Sequence, residues 1–265
     1  MHRLDIGLVE QGLRGLRLRG PFVYKESVAS TNDEARDAAL AGAAEGATFV
    51  AETQTAGRGR QGRQWHSPPG QSLLFSVLLR PALPPQDFAL LTTIAGLAVA
   101  QASAALTGCD ARTKWPNDVV IAGRKLVGIL TEARLPDFAV IGIGVNVSQQ
   151  PDDFPPELRS KATSLAIEGV APSREALLAE TLNRLDALYD TLRSGRHEEL
   201  LALRRQSEVT LGRRVIADLP GRQVTGTALD LTADGGLIIR TAAGDETIHS
   251  GEIVKMQSAD PEGWA

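Results

Sequence analysis

The segment between residues 111 and 148 consists of short runs of branched residues separated by turn residues. The runs "RTKW", "NDVVI", "KLVGILTEA" and "DFAVIGIGVNVS" predict successive β-strands. Ala122-Gly123-Arg124 predicts a tight turn between two of them, and Pro116 predicts a bend, because proline cannot donate to a strand ladder. The middle of the chain is therefore expected to form a sheet.

Strand and helix patterns alternate around this segment. "TFVAET" (48–53) and "SLLFSVLLR" (72–80) predict two further strands, and helices are predicted at 33–42, 87–106, 173–193 and 196–208. Thr31 and Glu34 stand in the T-x-x-E relation of a capping box, and Gly42 stands where a C′ glycine ends a helix. We predict an α+β fold in which a mixed sheet packs against helices.

The pattern changes after Leu211. Short strands then alternate with Gly and Asp turns, as in "VTGTALDLTADGGLIIR", which predicts a small separate β-domain. A length of 265 residues suits one large domain with such an appendage. We expect a main domain over residues 1–210 and a small SH3-like β-barrel over residues 211–265.

Charge and cysteine content disfavour several classes of protein. The net charge of −4 and the pI near 5.7 give no bulk attraction to nucleic acid, so no nucleic-acid partner is expected. The single cysteine, Cys109, cannot form an internal disulfide and suits a reducing cytosol. The N-terminus lacks the apolar region of a signal peptide, and no run approaches the roughly 18 apolar residues of a membrane span. We expect a cytoplasmic protein without membrane contact.

The segment "AGRGRQGRQWHSPPG" (56–70) interleaves three arginines with three glycines. "GRGRQG" satisfies the dinucleotide pattern G-x-G-x-x-G, but Pro68-Pro69-Gly70 prevents the helix that this pattern must open, and no P-loop motif occurs in the chain. Glycine lets the backbone approach a ligand, and arginine binds phosphate or carboxylate in a bidentate manner. The segment is either an anion-binding loop, mobile until an anion neutralises it, or a solvated basic turn.

Three further motifs carry polar groups at strand ends. "KWPNDV" (114–119) places Lys114, Asn117 and Asp118 around a bend, as a site or as a surface turn with an ion pair. Lys125 enters an apolar strand, either as a positioned cation or as a snorkelling edge charge. "IGIGVNV" (141–147) alternates glycine with branched residues and includes Asn146. Its glycines indicate close approach by a ligand or backbone, or tight packing alone.

Together these motifs resemble the biotin protein ligase family. "STN" (30–32), "AETQTAGRGRQGRQW" (51–65), "KWPNDV", "KLVGIL" (125–130) and "GIGVNV" (142–147) match that family in order and spacing. The match covers roughly residues 20 to 210, and the tail resembles the family's small C-terminal domain. Each motif is modest by itself, whereas the five together are specific.

The resemblance implies a two-step, ATP-dependent reaction. Biotin and ATP form biotinyl-5′-adenylate, and biotin then passes to one lysine of a biotin carboxyl carrier protein of acetyl-CoA carboxylase or a related carboxylase. Residues 1–210 would be the catalytic domain, and Mg²⁺ would accompany ATP. Because both reactants of the first step are anions, fixed cations in a water-poor site would lower the barrier. The Gly/Arg loop would supply them and shield the hydrolysable adenylate from water.

The resemblance also implies roles for particular residues. The implied catalytic residues are Lys125, Arg60 and Lys114. The implied biotin-binding residues are Ser30, Thr31, Asn32, Gln54, Arg58, Gly59, Arg60 and Lys125. The implied nucleotide-binding residues are Arg58, Arg60, Lys114, Asn117, Asp118 and Asn146, the last of them near the adenine. Asp118 would orient Lys114, help hold Mg²⁺, or accept a proton from the incoming lysine.

Two departures from the family pattern affect the expectation. Only 29 residues precede Ser30, too few for the winged helix-turn-helix that some members carry, so we expect a ligase without operator binding. Phe154 is the only aromatic residue in the segment 148–164, where the family has a loop over the adenylate.

Trp65 and Trp115 would wall the site or pack in the core, and His66 matches no family role. The protein would be a monomer or a homodimer.

Two alternative functions remain open. A lipoate or octanoate ligase would share the fold and the acyl-adenylate chemistry, but not this arginine loop together with "KWPND". A non-enzymatic biotin sensor would bind biotin and would need neither a second lysine nor an arginine loop.

Overall fold

Runs of branched residues and apolar helical stripes build a seven-stranded sheet with helices against it. The structure, a computed structural model, describes residues 3–170 and 172–257. Its first part comprises α1 (Ile6–Gly12), β1 (Phe22–Val28), α2 (Thr31–Leu40), β2 (Thr48–Gln54), β3 (Ser72–Leu79), α3 (Leu90–Thr107), β4 (Arg112–Lys114), β5 (Asp118–Ile121), β6 (Arg124–Arg134), β7 (Phe138–Asn146), α4 (Arg174–Arg193) and α5 (His197–Ser207). The strands and helices predicted from the sequence are all present, although α3 begins three residues later than expected, after a short 3₁₀ turn.

The sheet runs in the order β1-β2-β3-β7-β6-β5-β4. β1 and β2 are parallel, and every other neighbouring pair is antiparallel, which confirms the predicted mixed sheet. The tight turn between β5 and β6 is also confirmed, with positive φ angles at Ala122 and Gly123. Two positive φ angles match the right-handed twist of the flanking strands, and that match fixes the register of β6.

The two faces of the sheet are covered to different extents. Side chains alternate along β7, so Ile141, Ile143 and Val145 face the large apolar core that α3 and α4 complete. Val140 and Phe138 belong to a smaller cluster on the opposite face, beneath α2. α2 covers only one end of this second face. Gly142 and Gly144 lie on the same face and carry no side chain, so a shallow trough remains on the sheet next to α2.

The segment Pro85–Thr107, which contains α3, is long and apolar enough to cross a membrane. In this fold it lies against the sheet and α4, with Leu91, Ile94 and Leu97 buried. Core packing accounts for its apolar character.

The capping box predicted at Thr31 and Glu34 is wrong. α2 begins at Thr31 with Ser30 as its N-cap, and no side chain caps the helix. The Thr31 hydroxyl instead makes long-range hydrogen bonds with Gln54 and Ser76. Gly42, with φ of +90°, follows the C-cap residue Ala41, as predicted.

The N-terminal segment, which the sequence patterns did not predict, lies along α4. The carboxylate of Asp186 accepts hydrogen bonds from the backbone N–H groups of Leu16, Arg17 and Leu18. α1 is capped by Asp5, whose side chain accepts from Gly7 N and Leu8 N. These bonds bring the chain to the start of β1 at the edge of the sheet.

Residues after Arg213 form a second, five-stranded antiparallel sheet. It comprises β8 (Arg214–Leu219), β9 (Arg222–Leu231), β10 (Leu237–Thr241), β11 (Gly244–Ile248) and β12 (Glu252–Gln257), in the order β11-β10-β9-β8-β12. The sheet has its own apolar cluster, into which Trp115 inserts from the turn between β4 and β5. Its fold is SH3-like, but no pairing closes β11 onto β12 among the described residues. Residues 258–265 of the predicted domain 211–265 lie outside the described residues.

A buried ion pair ties α4 to β2 behind the trough. Arg174 donates to both carboxylate oxygens of Glu52, at 2.5 and 3.1 Å, and only about a tenth of each side chain is exposed. Leu4 N and the Tyr24 hydroxyl also donate to this carboxylate. Burial raises the pKa of Glu52, but the hydrogen bonds from Arg174, Leu4 N and Tyr24 outweigh it and hold the pKa below its ordinary value.

We expect Arg174→Met to destabilise the protein by about 3–5 kcal/mol at pH 7, because it leaves a buried carboxylate without its cation. In the native protein the Glu52 contribution is present above the ordinary pKa and is lost as pH falls through the lowered pKa. In the variant, we expect burial to dominate and to raise the pKa of Glu52, so that the carboxylate takes up a proton more readily. The difference in free energy of unfolding between the variant and the native protein should therefore become smaller between pH 7 and pH 5. Denaturant unfolding at several pH values measures both effects.

Arg184→Met is the matched control on the same helix, because Arg184 pairs with Glu180 at 41% side-chain exposure. It should cost no more than about 0.5 kcal/mol. A deficit of Arg174→Met that does not depend on pH would contradict the assignment to Glu52.

Candidate active site

The floor of the trough is made of glycines on facing strands. Gly128 of β6 lies directly opposite Gly144 of β7, and Gly142 lies in the next row of the same face, opposite Leu130. A Cβ atom at Gly128 or Gly144 would lie 2.6–2.7 Å from the nearest ring atom of Trp65, and a Cβ at Gly142 would collide with Asn32. The strand glycines therefore allow side chains from other segments to lie flat on the sheet.

One end of the trough is lined mainly by uncharged polar groups, with the carboxylate of Glu132 beside them. Ser30, Thr31, Asn32 and Ser76 are all buried. Thr31 donates to Gln54 Oε1 from its backbone N (2.7 Å) and its hydroxyl (3.0 Å), and Ser76 Oγ lies 2.6 Å from Asn32 Oδ1. The structure thus brings together the predicted residues of "STN" and Gln54. A linked set of hydroxyl and amide groups suits a neutral ligand group that both donates and accepts hydrogen bonds.

Two members of this polar end were missed from the sequence. Ser76 contacts both Thr31 and Asn32, and Glu132 accepts a 2.6 Å hydrogen bond from Asn32 Nδ2. The signal for Ser76 was a lone hydroxyl inside the otherwise apolar run "LLFSVLL". Glu132 carried no such signal, because a glutamate near the end of a strand is common at surfaces.

The other end of the trough is cationic. Lys125 Nζ lies 2.7 Å from Asp118 Oδ1 and 5.8 Å from the centre of the Trp65 ring, within the range of a cation–π contact. Lys114 Nζ donates to the carbonyl oxygen of Ile253 at 3.2 Å. The turn between β5 and β6 and the bend before β5 therefore place both predicted lysines at the same end.

Arg60 reaches this cationic end from the Gly/Arg loop. Its guanidinium donates to Asn117 Oδ1 at 3.4 Å and to the carbonyl oxygen of Gly251 at 3.3 Å, both of them neutral acceptors. Burial lowers the pKa of Arg60, and the charges of Asp118 and Glu252 offset this only in part. Since arginine stays charged in proteins, a partly buried cation lies here beside weak neutral acceptors, which favours binding of an anion.

The two ends are separated by a distance that suits an extended ligand. Asp118 pairs with Gly128, so the row Asp118–Gly128–Gly144 crosses two strand spacings, and Gly142 lies two residues further along. These offsets amount to roughly 10 Å across the sheet and 7 Å along it. A ligand with a neutral polar head, an apolar middle and an anionic tail fits this layout.

Arg58 is placed away from the cationic end. It makes a bidentate contact with Asp33 at 2.7 and 2.8 Å and lies 3.4 Å from Glu132, beside the polar end. The hydrogen bond from Arg58 is the main reason why the pKa of Asp33 is lowered. The structure therefore places Arg58 beside the polar end, and its predicted contact with the nucleotide stays a prediction.

The Gly/Arg loop forms a short hairpin. Gly59 N donates to Arg63 O at 2.7 Å, and Trp65 N donates to Gly57 O at 3.0 Å. Arg58 and Gln64 form an isolated antiparallel bridge. This pairing leaves Arg60 in the 3₁₀ turn at the tip, Arg60–Gly62, and lays Trp65 over the glycine floor.

Asn146 and the segment 148–164 support Lys125 from behind. Lys125 N donates to Lys161 O at 2.7 Å, and Thr163 N donates to Lys125 O at 2.9 Å. Asn146 Nδ2 donates to Thr163 O at 2.9 Å, and its Oδ1 accepts from Gln149 at 3.1 Å. The amide of Asn146 is thus occupied in holding this segment, whose aromatic residue Phe154 is buried.

Trp65, Trp115 and His66 lie in different surroundings. Trp65 lies over the glycine floor of the trough, and its role as a wall of the occupied site stays a prediction. Trp115 does not reach the trough but packs in the core of the second sheet, where Nε1 donates to Gly235 O at 3.1 Å. His66 is exposed beside the loop.

The site offers little to a metal ion on its own. No group of three or more His, Cys, Asp or Glu side chains able to hold a metal occurs within residues 3–170 and 172–257. Asp118 supplies the carboxylate beside Lys125, and that ion pair already occupies it. These residues do not form a metal cage of the protein's own.

Comparison with known proteins identifies relatives. A model of the "Biotin/lipoate A/B protein ligase family" matches residues 24–146, and a model of the "Biotin protein ligase C terminal domain" matches residues 210–256. The "Biotin--[acetyl-CoA-carboxylase] ligase" of Mycobacterium tuberculosis is 37% identical and covers 86% of each chain. The "Bifunctional ligase/repressor BirA" of Bacillus subtilis is 36% identical over 95% of this chain and 79% of its own.

Solved structures agree with these matches. The biotin protein ligase from Aquifex aeolicus in complex with biotin and ATP has a TM-score of 0.78 and 30% identity, and it covers 89% of this chain and 98% of its own. The ligase from Leishmania major in complex with biotinyl-5-AMP has a TM-score of 0.58 and 26% identity, covering 86% of this chain and 98% of its own.

We expect Gly144→Ala to lift Trp65 from the trough floor, because the new methyl group would lie 2.7–2.9 Å from the indole. Overpacking of this kind costs about 1–3 kcal/mol. Fluorine NMR of protein labelled with 5-fluorotryptophan, with the Trp65 signal assigned from Trp65→Phe, reports the displacement. Gly96→Ala is the control, since its nearest neighbours lie 3.5 Å away, and an unmoved Trp65 signal in Gly144→Ala would contradict the packing described here.

Proposed function

Because the chain belongs to the biotin/lipoate A/B protein ligase family, we propose which of its residues perform the reaction of a biotin protein ligase. The protein is an ATP-dependent ligase whose substrates are biotin and ATP. It forms biotinyl-5′-AMP with release of pyrophosphate, and then transfers biotin to a lysine of a carboxyl carrier protein.

The layout of the trough supports the assignment of the biotin-binding position. Biotin has a neutral ureido ring, an apolar chain and a carboxylate, in the same order as the polar, glycine-floored and cationic parts of the trough. The ring would lie against Thr31, Asn32 and Gln54, since a urea needs both donors and acceptors. Its chain would lie along Gly128 and Gly144 in the place that Trp65 now covers, with the indole moving to become its wall.

The cationic end would join the two anionic reactants. Lys125 and Arg60 would contact the biotin carboxylate and the α-phosphate, and Lys114 would lie beside the phosphates. Attack of the carboxylate oxygen on the α-phosphorus expels pyrophosphate, and the cations stabilise the negative charge that gathers around that phosphorus. Fixed cations in a water-poor site are effective because they need no reorganisation as the charge develops.

Two polar neighbours position these cations. Asp118 holds Lys125 at 2.7 Å, so we assign it the orientation of Lys125 rather than of Lys114. Asn117 anchors itself through a 2.7 Å bond from Nδ2 to Ile129 O and offers Oδ1 to Arg60. Asn146 and the segment 148–164 brace the backbone of Lys125, a role that replaces the adenine contact implied by the resemblance.

In the second step the acceptor lysine attacks the carbonyl carbon of the mixed anhydride, and AMP leaves. We propose that the acceptor is the biotin carboxyl carrier domain of a carboxylase, and that the protein acts in the cytoplasm. Magnesium would enter as the counter-ion of ATP, because one paired carboxylate cannot hold it alone. We also propose that residues 1–210 form the catalytic domain and residues 211–265 the small domain. The oligomeric state, monomer or homodimer, stays a prediction.

Transfer to an apo carrier domain tests the function. With biotin and ATP, we expect the mass of one biotinyl group on a carrier lysine, with stoichiometric AMP and pyrophosphate. Lipoate offered in parallel should be neither bound nor transferred. Transfer of lipoate would favour the related ligase, and biotin binding without transfer would favour a sensor.

Lys125→Ala should slow adenylate formation by about 10²–10³-fold, because it removes a cation directed at the developing charge. Single-turnover measurement of biotinyl-adenylate from labelled ATP gives the rate, and thermal unfolding checks that the fold survives. Lys25→Ala is the control, since Lys25 pairs with Glu34 on the surface of β1 and α2. A normal rate in Lys125→Ala would remove Lys125 from the mechanism.

A further inference from the structure

The three arginines of the Gly/Arg loop, which look equivalent in the sequence, have partners of different kinds. Arg58 faces the carboxylates of Asp33 and Glu132. Arg63 donates through both terminal nitrogens to both oxygens of Glu252. Arg60, between them, has only the neutral oxygens of Asn117 and Gly251 as hydrogen-bond acceptors among the described residues.

The partners lie on two different elements. Asp33 is in the first turn of α2, beside the polar end of the trough. Glu252 is the first residue of β12 in the second sheet, where it lies opposite Asp218 of β8. The loop is therefore attached on one side to the main sheet's helix and on the other to the C-terminal domain.

The C-terminal attachment is built from three consecutive residues. The Gly251 carbonyl accepts from Arg60, the Glu252 carboxylate pairs with Arg63, and the Ile253 carbonyl accepts from Lys114. Ile253 is buried in the core of the second sheet, which fixes the backbone at this point. Gly251 has φ of +135°, and a Cβ there would lie 2.9 Å from Asp218 O, so this path of the backbone requires glycine.

The charges around the three arginines differ in the same way as their hydrogen-bond partners. The hydrogen bond from Arg63 lowers the pKa of Glu252, and the charges of Arg63, Lys114 and Lys125 lower it further. The charge of Arg63 is thus balanced by a carboxylate, as is that of Arg58. Among residues 3–170 and 172–257 no carboxylate contacts Arg60 directly, and its backbone and amide acceptors at 3.3–3.4 Å are easily exchanged for an anion.

We propose that Arg58 and Arg63 are positioning residues that clamp the two sides of the loop, through Asp33 and Glu252 respectively, so that Arg60 is held over the cationic end to bind the anion. This inference rests on the proposed function, because the anion is the adenylate formed at that site. It makes Glu252, a residue of the C-terminal domain, part of the device that retains the adenylate. The hairpin bond from Gly59 N to Arg63 O transmits the clamp to Arg60.

The clamps act on the loop and not on global stability. The Arg63 side chain is 59% exposed and that of Glu252 is 32% exposed, and exposed pairs of this kind add little to the free energy of unfolding. Their loss should therefore leave unfolding unchanged while the loop opens more often. Opening would let the mixed anhydride leave before a carrier arrives.

Glu252→Gln removes the charge and keeps the shape. We expect release of preformed biotinyl-adenylate, measured by rapid filtration without carrier, to rise about two- to fivefold, the range that one exposed ion pair supplies. Adenylate formation should change less than release, and thermal unfolding should not change. Glu246→Gln is the matched control, because Glu246 pairs with Arg222 at similar exposure in the same domain and lies on β11.

A charge exchange separates the clamp from a general effect of mutation. Arg63→Glu and Glu252→Arg should each raise the release rate, and the double variant should return it towards the native value. Asp33→Asn should act in the same direction as Glu252→Gln through the other clamp. Additive effects in the double exchange, or a native release rate in Glu252→Gln, would overturn the inference.

Measurement of adenylate formation and release also separates failure of the proposed function from failure of the clamp. If the native protein forms no adenylate, the proposed function fails and the clamp has nothing to retain. If the native protein forms and retains adenylate but neither carboxylate variant alters its release, the function stands and the clamp is wrong.

Discussion

The partly buried guanidinium of Arg60 imposes the main physical constraint on this protein. A cation that is partly removed from water, and that has neutral hydrogen-bond acceptors among the described residues, is unfavourable unless neighbouring groups hold it in place and an anion is at hand. Its position depends on contacts from three separate parts of the chain: the hairpin that carries it, the Asn117 turn, and the Gly251 carbonyl of the C-terminal sheet. Lys125 and Lys114 converge on the same place, so the fold concentrates positive charge in a protein whose net charge is −4.

The two faces of the sheet explain how such a site coexists with a stable core. The face towards α3 and α4 is filled with branched side chains and supplies the core. The opposite face replaces side chains by glycine at residues 128, 142 and 144, where loops and α2 bring polar and aromatic groups onto the backbone. Alternation along β6 and β7 therefore lets one pair of strands serve packing and binding without conflict.

Much of the fold could be predicted from local patterns. The strands, helices and turn at Ala122-Gly123 follow from periodicity and from backbone preferences that neighbouring residues determine. The errors and omissions concern distant partners. Thr31 had the sequence of a cap, but Gln54 and Ser76 bind its hydroxyl across the sheet. No local pattern could show that Trp115 packs in the second sheet, or that Arg58 and Arg63 are matched with carboxylates 25 and 189 residues away.

The bend between β4 and β5 shows why the second sheet belongs to the same functional unit. The bend spans residues 114–117, and the side chains of Lys114, Trp115 and Asn117 each contact a different structural element. Lys114 contacts β12, Trp115 enters the core of the second sheet, and Asn117 holds Arg60 and the backbone of β6. A shift of the second sheet would therefore move Trp115, and with it the residues that flank Lys125 and Arg60. The cationic end of the trough is thus fixed jointly by the two sheets, because neither sheet alone supplies acceptors for all of its cations.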